Sequence, residues 1–447
     1  MRTQIIYLLS LILLIAGRAK AQEATPLSLE YCMKYAKEHS DTLKNVRINV
    51  EIQRAQNAQL AAQALPNIRG GGNFTYNLNP QQALLPGEFF GQPGTFQPVV
   101  FSPIFVTNAN VSGSQTLFDG SLMVALKARK TILELVRDAG HLTEENVRYG
   151  IQKAYYSIVI AQRQYNILIA SLGNARKISG ELRIIHENGM NELVDVQRSD
   201  VQVNNLETDS IRTASLLESS KQLLKYQIGM NIDQPIILTD TVVESFFLQA
   251  SDLLSNELDY NNRTEFSLLK KQLSLYESNV KRYQFAALPT LSASGQIGYN
   301  YGSDQFSEIT KFRKNYLFST YVALQLNVPI FSGFLRKNQV KEARLNVEKA
   351  HNNIEFLKLS LDFQDAQAKT TLKNALLAVE KQKRNLSLSN SIADLAVRKY
   401  KEGVGSSVEV TQAQSELLQS QNNYFQALLD VINAQADLQK ALGQFAN

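Results

Sequence analysis

The chain has one cysteine, four histidines and no apolar run long enough to cross a bilayer as a permanent helix. A single thiol, Cys32, excludes an intramolecular disulfide. The histidines are scattered, with no H-E-x-x-H motif and no cysteine cluster, so a catalytic zinc site is not indicated. Any entry into a membrane must therefore use β-strands. The histidines are His39, His141, His186 and His351.

An excess of charge of one sign is also missing. The whole chain carries +5, but a predicted leader holds three of the basic residues, which leaves 43 basic against 41 acidic residues. With no basic stripe, nucleic acid is not expected as a partner. The run Gly70–Gly72 lies within a strand pattern, so it does not predict a phosphate-binding loop. We therefore assign no catalytic, cofactor-binding or metal-binding residue and expect no enzyme and no cofactor.

The N-terminus resembles a secretory leader. Arg2 supplies a positive start, Ile5 to Ala16 form a short apolar run, and Ala19-Lys20-Ala21 matches an A-x-A cleavage site. This pattern predicts a cleaved signal peptide, with a retained signal anchor as the alternative. Cys32 lies beyond the cleavage site, so an N-terminal lipidated cysteine is not expected.

The sequence repeats itself. Gly120 recurs as Gly333 after 213 positions, and Gly189 and Gly229 recur as Gly403 and Gly443 after 214. A register held over about 110 residues indicates internal duplication. Each copy is predicted to contain a helix, a strand, a loop, a strand, a very long helix and a return helix.

Four segments alternate apolar and polar residues with a period of two, as β-strands with one apolar face do. Their polar face is neutral Asn, Ser, Thr and Gln, which favours a pore lumen, although a soluble antiparallel sheet shows the same alternation. Because four strands cannot close a barrel, membrane insertion would require several chains to share one. The segments are Asn67–Leu78, Asn108–Phe118, Thr290–Tyr301 and Tyr316–Phe331.

Proline is absent from two long stretches, which predicts long helices. The clearest is Phe334–Glu402, with a seven-residue stripe that predicts left-handed supercoiling. Half of the ten prolines lie between Pro80 and Pro103, which predicts an irregular surface loop. The second seam of the stripe is predicted at Ala343, Ala350, Leu357, Gln364, Thr371 and Ala378; an isolated fibrous coiled coil is the alternative.

The fold class is therefore dominated by α-helix, with long helical hairpins and four strands per chain for a shared barrel. The middle segment is expected to wrap the helices from outside, with Phe246-Phe247-Leu248 used in packing. The predicted divisions are a signal peptide (1–21), a first helix (22–66), a first strand pair (67–118) with an outer loop (80–105), a helical hairpin (119–230), an equatorial segment (231–256), a helix (257–289), a second strand pair (290–331) and a second helical hairpin (332–447).

The chain resembles the TolC family of outer-membrane channel proteins across essentially all of its mature length. The resemblance implies a homotrimer with a twelve-stranded β-barrel and a periplasmic helical tunnel. It also implies docking to an inner-membrane transporter through a periplasmic adaptor, for export of drugs, metals or proteins. The likeness is carried by Leu27–Glu30, Leu65-Pro66, Leu288-Pro289, Phe118–Gly120, Phe331–Gly333, and the tip segments Gly189–Val203 and Tyr400–Leu417.

The resemblance also implies roles at the helical tips. Tyr400 resembles the gate tyrosine of the family, and Asp195 the aspartate that holds it. Glu409 matches the first acidic ring of the entrance constriction, and Gln412 the second, where the family often has Asp. The family's Val-Gly-Thr-Arg tip is replaced here by Glu402–Gly405, which lacks the arginine. The tip turns are assigned to Gly189, Gly403 and Gly405.

The function expected from this reading is a passive export duct in the bacterial outer membrane, with its helices in the periplasm. A secreted or periplasmic coiled-coil scaffold with a soluble β-cap is the alternative. An outer-membrane, detergent-soluble oligomer would indicate the duct, and a protein in the soluble fraction the scaffold.

Overall fold

A computed structural model describes residues 25–240, 250–309 and 316–446. The predicted signal peptide and Phe246-Phe247-Leu248 lie outside the described residues. Along the chain the elements are β1 (Thr25–Leu27), α1 (Leu29–His39), α2 (Asp41–Ala62), β2 (Asn67–Tyr76), β3 (Gln82–Pro86), β4 (Phe96–Val100), β5 (Phe105–Phe118), α3 (Gly120–Glu187), α4 (Leu193–Ile228), β6 (Ile236–Leu238), α5 (Thr264–Phe285), β7 (Thr290–Ser303), α6 (Phe306–Ile309), β8 (Leu317–Asn327), α7 (Leu335–Lys401) and α8 (Ser407–Ala441).

The chain divides into two compact units, each built from several segments. Of the described residues, the helical unit contains those within Met1–Asn49, Arg137–Leu268 and Ile354–Asn447, and the strand unit contains those within Val50–Val136 and Leu269–Asn353. Both long helices, α3 and α7, contribute to both units. In the described parts of the chain, no helix is both long and apolar enough to be a membrane span.

The strand unit contains an antiparallel sheet in the order β2-β5-β7-β8, as the alternating segments predict. The register places apolar residues of all four strands on one face: the rows include Val111 opposite Ile297 and Tyr299 opposite Phe318. The other face is polar, with Asn73, Asn108 and Asn300 in one row. Each strand therefore directs apolar side chains to one face and polar side chains to the other, and the apolar face is the same for all four strands.

The outer loop is more ordered than the sequence suggested. The predicted irregular segment between Pro80 and Pro103 contains an antiparallel hairpin, because β3 pairs with β4. A 3-10 turn, Gly87–Phe90, joins the two strands. Pro86 and Pro98 are tolerated in these strands because, within the part of the chain that the structure describes, β3 and β4 form a sheet of two strands in which each has a free edge.

The first predicted helix is interrupted at Ser40. Ser28 caps α1 by accepting a hydrogen bond from the backbone of Tyr31, and Ser40 then takes an extended ψ of 122° before α2 begins. The carbonyl of His39 approaches Gly229 so closely that a Cβ there would lie 2.6 Å from its oxygen. The break therefore allows the end of α4 to pack closely against the end of α1.

The long helix predicted from Phe334 to Glu402 is confirmed as α7, of 67 residues. Its apolar stripe is buried at Ile354, Leu361 and Ala368. The predicted second seam is wrong beyond Leu357: Gln364, Thr371 and Ala378 are exposed, and Leu372 and Val379 are buried instead. A straight α-helix drifts by about 20° per heptad, so the buried face moves to the next residue after a few turns.

The core of the helical unit centres on Tyr155 of α3. Its ring is fully buried, and its hydroxyl donates to the carbonyl of Leu27 at 3.0 Å. β1, which contains Leu27, pairs in parallel with β6, so the middle segment is joined to the N-terminal strand. Burial raises the pKa of the Tyr155 phenol above its ordinary value, and the charge of Asp240 adds to this effect.

Candidate functional site

The two helical hairpins end in turns with the same backbone geometry. Gly189 and Gly403 both take a φ of +75°, in the left-handed region that glycine adopts at little cost. At the first tip, the backbone amide of Gly189 donates to the carbonyl of His186, and that of Met190 donates to the carbonyl of Ile185. At the second tip, the amides of Gly403 and Val404 donate to the carbonyls of Tyr400 and Lys399 in the same way. The predicted glycines therefore lie in matching helix-terminating turns.

The second tip has an additional close contact. A Cβ at Gly405 would lie 3.0 Å from the backbone nitrogen of Tyr400, so only glycine fits without a shift. Ser406 follows as the N-cap of α8, and its hydroxyl accepts from the amide of Glu409 at 3.2 Å. Glu409 is thereby fixed in the first turn of α8, where the helix dipole also favours a carboxylate.

A hydrogen bond joins the two tips. The Ser407 hydroxyl, at the start of α8, donates to Oδ1 of Asp195 at 2.6 Å. Asp195 occupies the first turn of α4, and the guanidinium of Arg198 on the same helix lies 3.6 Å from it. The charge on Asp195 is therefore held between a hydroxyl of the second hairpin and a cation of the first.

Tyr400 lines a cavity of about 560 Å³ between the two hairpins, together with Glu181, Ser407 and Val410. Burial raises the pKa of its phenol, and the negative charges of Asp195 and Glu181 raise it further. The Asp195 carboxylate thus lies near enough to influence Tyr400, while its described hydrogen-bond partner is Ser407. A direct Tyr400–Asp195 hydrogen bond stays a prediction.

The two residues assigned to the entrance constriction lie one turn apart on α8. The Glu409 carboxylate is 3.6 Å from the ammonium of Lys399, and both side chains are about half exposed. Gln412 donates to Glu416 at 2.8 Å. In the described ranges, no group of three or more His, Cys, Asp or Glu side chains is arranged to hold a metal ion.

Sequence reasoning missed four residues at this site: Ser406, Ser407, Arg198 and Lys399. The cap Ser406 could have been found, because a serine followed by Glu three residues later signals a helix start. The bond from Ser407 to Asp195 spans 212 positions, and no local pattern encodes such a pair. Lys399 lies in the last turn of α7, a common place for a cation, so its position gives no sign of its partner.

Comparison with known proteins shows which of them this chain is similar to. A model of the family described as "Outer membrane efflux protein" matches residues 260–444. Outer membrane protein TolC of Escherichia coli (strain K12) is 20% identical over 347 residues, which cover 75% of this chain and 69% of that protein. The solvent efflux pump outer membrane protein SrpC of Pseudomonas putida is 26% identical over 205 residues, which cover 41% of this chain and 38% of SrpC.

A solved structure supports the same fold. The outer membrane protein VceC from Vibrio cholerae superposes with a TM-score of 0.70 at 16% sequence identity, covering 93% of this chain and 96% of that one. The match therefore extends over the first copy of the repeat, which the family match leaves out. The chain is therefore similar to outer membrane efflux proteins of the TolC family, in sequence over residues 260–444 and in fold over nearly its whole length.

Proposed function

We propose that this protein is the outer-membrane channel of a tripartite efflux or type I secretion system. It gives passive passage to the exterior for cargo delivered by an inner-membrane transporter and a periplasmic adaptor. The family whose model matches residues 260–444 is one of transport channels and not of enzymes. Relatives described as a solvent efflux pump component and a toluene efflux pump component make small apolar molecules one candidate cargo class.

The observation that carries the proposal is the apolar face of the four-stranded sheet. Large side chains on this face remain exposed in the single chain, including Val322 at 87% and Ile68 at 74%. Soluble monomers rarely expose contiguous apolar patches of this kind. A lipid environment would accommodate the face, and the neutral polar face would then line an aqueous lumen.

Oligomerisation follows from the edges of this sheet. Among the described residues, the order β2-β5-β7-β8 leaves β2 and β8 each with one unpaired edge. Unpaired backbone amides and carbonyls are not tolerated in the hydrocarbon core, so the edges must pair with other copies. Three chains would supply twelve strands, which agrees with the homotrimer implied by the resemblance.

A matched pair of substitutions tests the membrane reading. Val322→Arg puts a charge on the apolar face of β8, and Ser319→Arg puts the same charge on the polar face, three residues away. A cation facing the bilayer centre costs about 2–4 kcal/mol, whereas one facing a lumen is tolerated. We expect only Val322→Arg to reduce recovery of the oligomer from outer membranes. Equal behaviour of the two variants would contradict the proposal.

At the tips, we propose that Glu409 forms an acidic ring at the entrance and that Tyr400 and Asp195 help to keep the tips closed. Three copies of one carboxylate around an axis favour cations and repel anions. Lys399 lies 3.6 Å from Glu409, close enough to weaken this field. Gln412, one turn further on, would add a neutral ring.

Ion selectivity in planar lipid bilayers tests the ring. Glu409→Gln is expected to lower the ratio of cation to anion permeability several-fold. Glu355→Gln, which removes an exposed acid of the preceding helix α7, is the control and should leave the ratio unchanged. Unchanged selectivity in Glu409→Gln would reject the ring while leaving the channel proposal intact.

A further inference from the structure

A basic groove lies where the second strand pair joins its long helix. α7 begins with four cations in nine residues: Arg336, Lys337, Lys341 and Arg344. They line a cavity of about 510 Å³ between α7 and the end of α5, with Tyr283 and Gln284 on the opposite side and one acid, Glu348. The apolar part of the lining comes from Ala287, Val340 and Leu345.

The cations of this groove have no partner within the described part of the chain. Elsewhere on the same helix, by contrast, lysines pair with acids: Lys358 with Glu355 at 2.8 Å and Lys369 with Asp365 at 2.9 Å. The helical segments of the strand unit as a whole are basic, with 13 basic against 6 acidic residues. Such a cluster concentrates positive potential and favours an anionic ligand.

The groove directly follows an exposed apolar band. Ile330 is 94% exposed and Phe331 76%, and the ring of Phe331 packs edge-on against that of Phe334 at 5.5 Å. These residues follow β8 along the chain, and the last of them, Phe334, lies two positions before Arg336. Aromatic residues at the margin of an apolar face followed by cations are typical of a membrane–water interface.

The first copy of the repeat shows that the fold does not need these cations. The positions 213 residues earlier, at the start of α3, are uncharged: Met123, Val124, Ala128 and Thr131. The same stretch carries three cations at other positions, of which Arg129 donates to the carbonyl of Asn57 and Lys130 lies 3.9 Å from Glu134. Both junctions nevertheless connect a strand of the same sheet to a helix of nearly equal length, 68 and 67 residues. Cations at the positions of Arg336, Lys337, Lys341 and Arg344 are therefore not required for the strand-to-helix connection.

We propose that this groove binds the phosphate headgroup of an anionic phospholipid in the periplasmic leaflet of the outer membrane. The cations contact the phosphate, and Tyr283 and Gln284 supply polar groups beside it. The apolar lining and the Ile330–Phe334 band contact the upper acyl chains. This inference rests on the membrane placement proposed above, because only that placement brings the groove to a lipid interface.

Lipid binding to the purified, detergent-solubilised oligomer tests the proposal, with phosphatidylglycerol as the probe and native mass spectrometry as the readout. The test variant is Arg336→Gln/Lys341→Gln/Arg344→Gln. The control, Lys373→Gln/Lys381→Gln/Arg384→Gln, removes three exposed cations further along α7. A cation near an anionic surface contributes about fivefold, so we expect the test variant to bind phosphatidylglycerol roughly 100-fold more weakly than wild type.

Two further arms identify the ligand. Phosphatidylcholine, which carries no net charge, should bind more weakly than phosphatidylglycerol, and inorganic phosphate at equal concentration should not displace the lipid. Equal loss in test and control variants, no loss in either, or displacement by inorganic phosphate would overturn the headgroup site. Circular dichroism confirms that both variants keep their helical content.

Insertion into phosphatidylcholine vesicles separates this inference from the proposed function. If the wild-type protein does not float with such vesicles, the membrane placement fails and the headgroup site with it. If the protein inserts but the test variant retains phosphatidylglycerol, only the headgroup site is overturned.

Discussion

The two helical hairpins share a backbone but differ in what holds their legs together. In the first, Arg183 pairs with Asp200 at 3.0 Å and Arg176 with Glu207 at 2.7 Å. Ser179 also donates to Asp200, at 2.6 Å. The positions 214 residues later hold no charge. They are Asn390, Val397, Gln414 and Gln421, which correspond to Arg176, Arg183, Asp200 and Glu207.

The second hairpin is joined by small residues instead. Ala393 and Ala396 of α7 pack with Val410 and Ala413 of α8. Ser389 and Ser420 share a hydrogen bond at 2.8 Å, and the side-chain oxygen of Gln421 is buried with no hydrogen-bond partner. The two copies have thus kept the same turn geometry, while the contacts between the two helices of each hairpin have diverged. We therefore expect the helices of the first hairpin to be held together more strongly than those of the second.

The largest effect is expected for Leu206→Ala. Leu206 is buried in the first hairpin with Leu168 and Leu172, whereas its counterpart in the second hairpin is Ser420. Removing a buried leucine side chain costs about 2–5 kcal/mol, but losing a neutral hydrogen bond in Ser420→Ala costs only about 0.5–1.5 kcal/mol. Amide hydrogen exchange of α4 and α8 measures the two losses. Equal losses would contradict the comparison.

A smaller effect is expected from the ion pairs. Arg183→Gln should lower the local opening free energy of the first hairpin by about 0.2–1 kcal/mol, because the pair is partly exposed. Lys399→Gln, which removes the 3.6 Å pair of the second hairpin, should cost less. Raising the salt concentration should reduce the difference in opening free energy between wild type and Arg183→Gln. The expected difference between the hairpins is disproved if Lys399→Gln loosens its hairpin as much as Arg183→Gln does.

Much of this architecture could be predicted from the sequence. Strand faces follow from a period of two, and the length of α7 follows from the absence of proline and glycine. The break at Ser40 and the β3–β4 hairpin were missed, because neither leaves a strong local signal. At the tips, the glycines mark the turns, whereas the Ser407–Asp195 bond depends on how the two hairpins pack. The shift of the buried stripe to Leu372 likewise follows from helical geometry over many turns.

The smallest effect concerns the pH dependence at Tyr400. Its phenol has a pKa raised first by burial and then by Asp195 and Glu181. The folded tip therefore favours the neutral phenol. The stability that this preference adds to the folded tip is fully present below the ordinary tyrosine pKa, and it is lost as pH rises through the raised pKa. Asp195→Asn should lower the pKa of Tyr400, but not to the ordinary tyrosine value, because the phenol stays buried and Glu181 remains.

Ultraviolet titration of wild type and Asp195→Asn, each corrected with its Tyr400→Phe counterpart, measures this change. Asp233→Asn, at an exposed position away from the tip, should have no effect. An unchanged Tyr400 titration in Asp195→Asn would show that the two residues are not electrostatically coupled.

The central claim is that a sheet with one apolar face and two open edges compels several copies to share one barrel in lipid. The mass of the purified, detergent-solubilised protein tests this claim most directly. We predict a complex of three chains, where the full sequence of one chain has a mass of about 50 kDa. A stable monomer that stays in solution without detergent would contradict it.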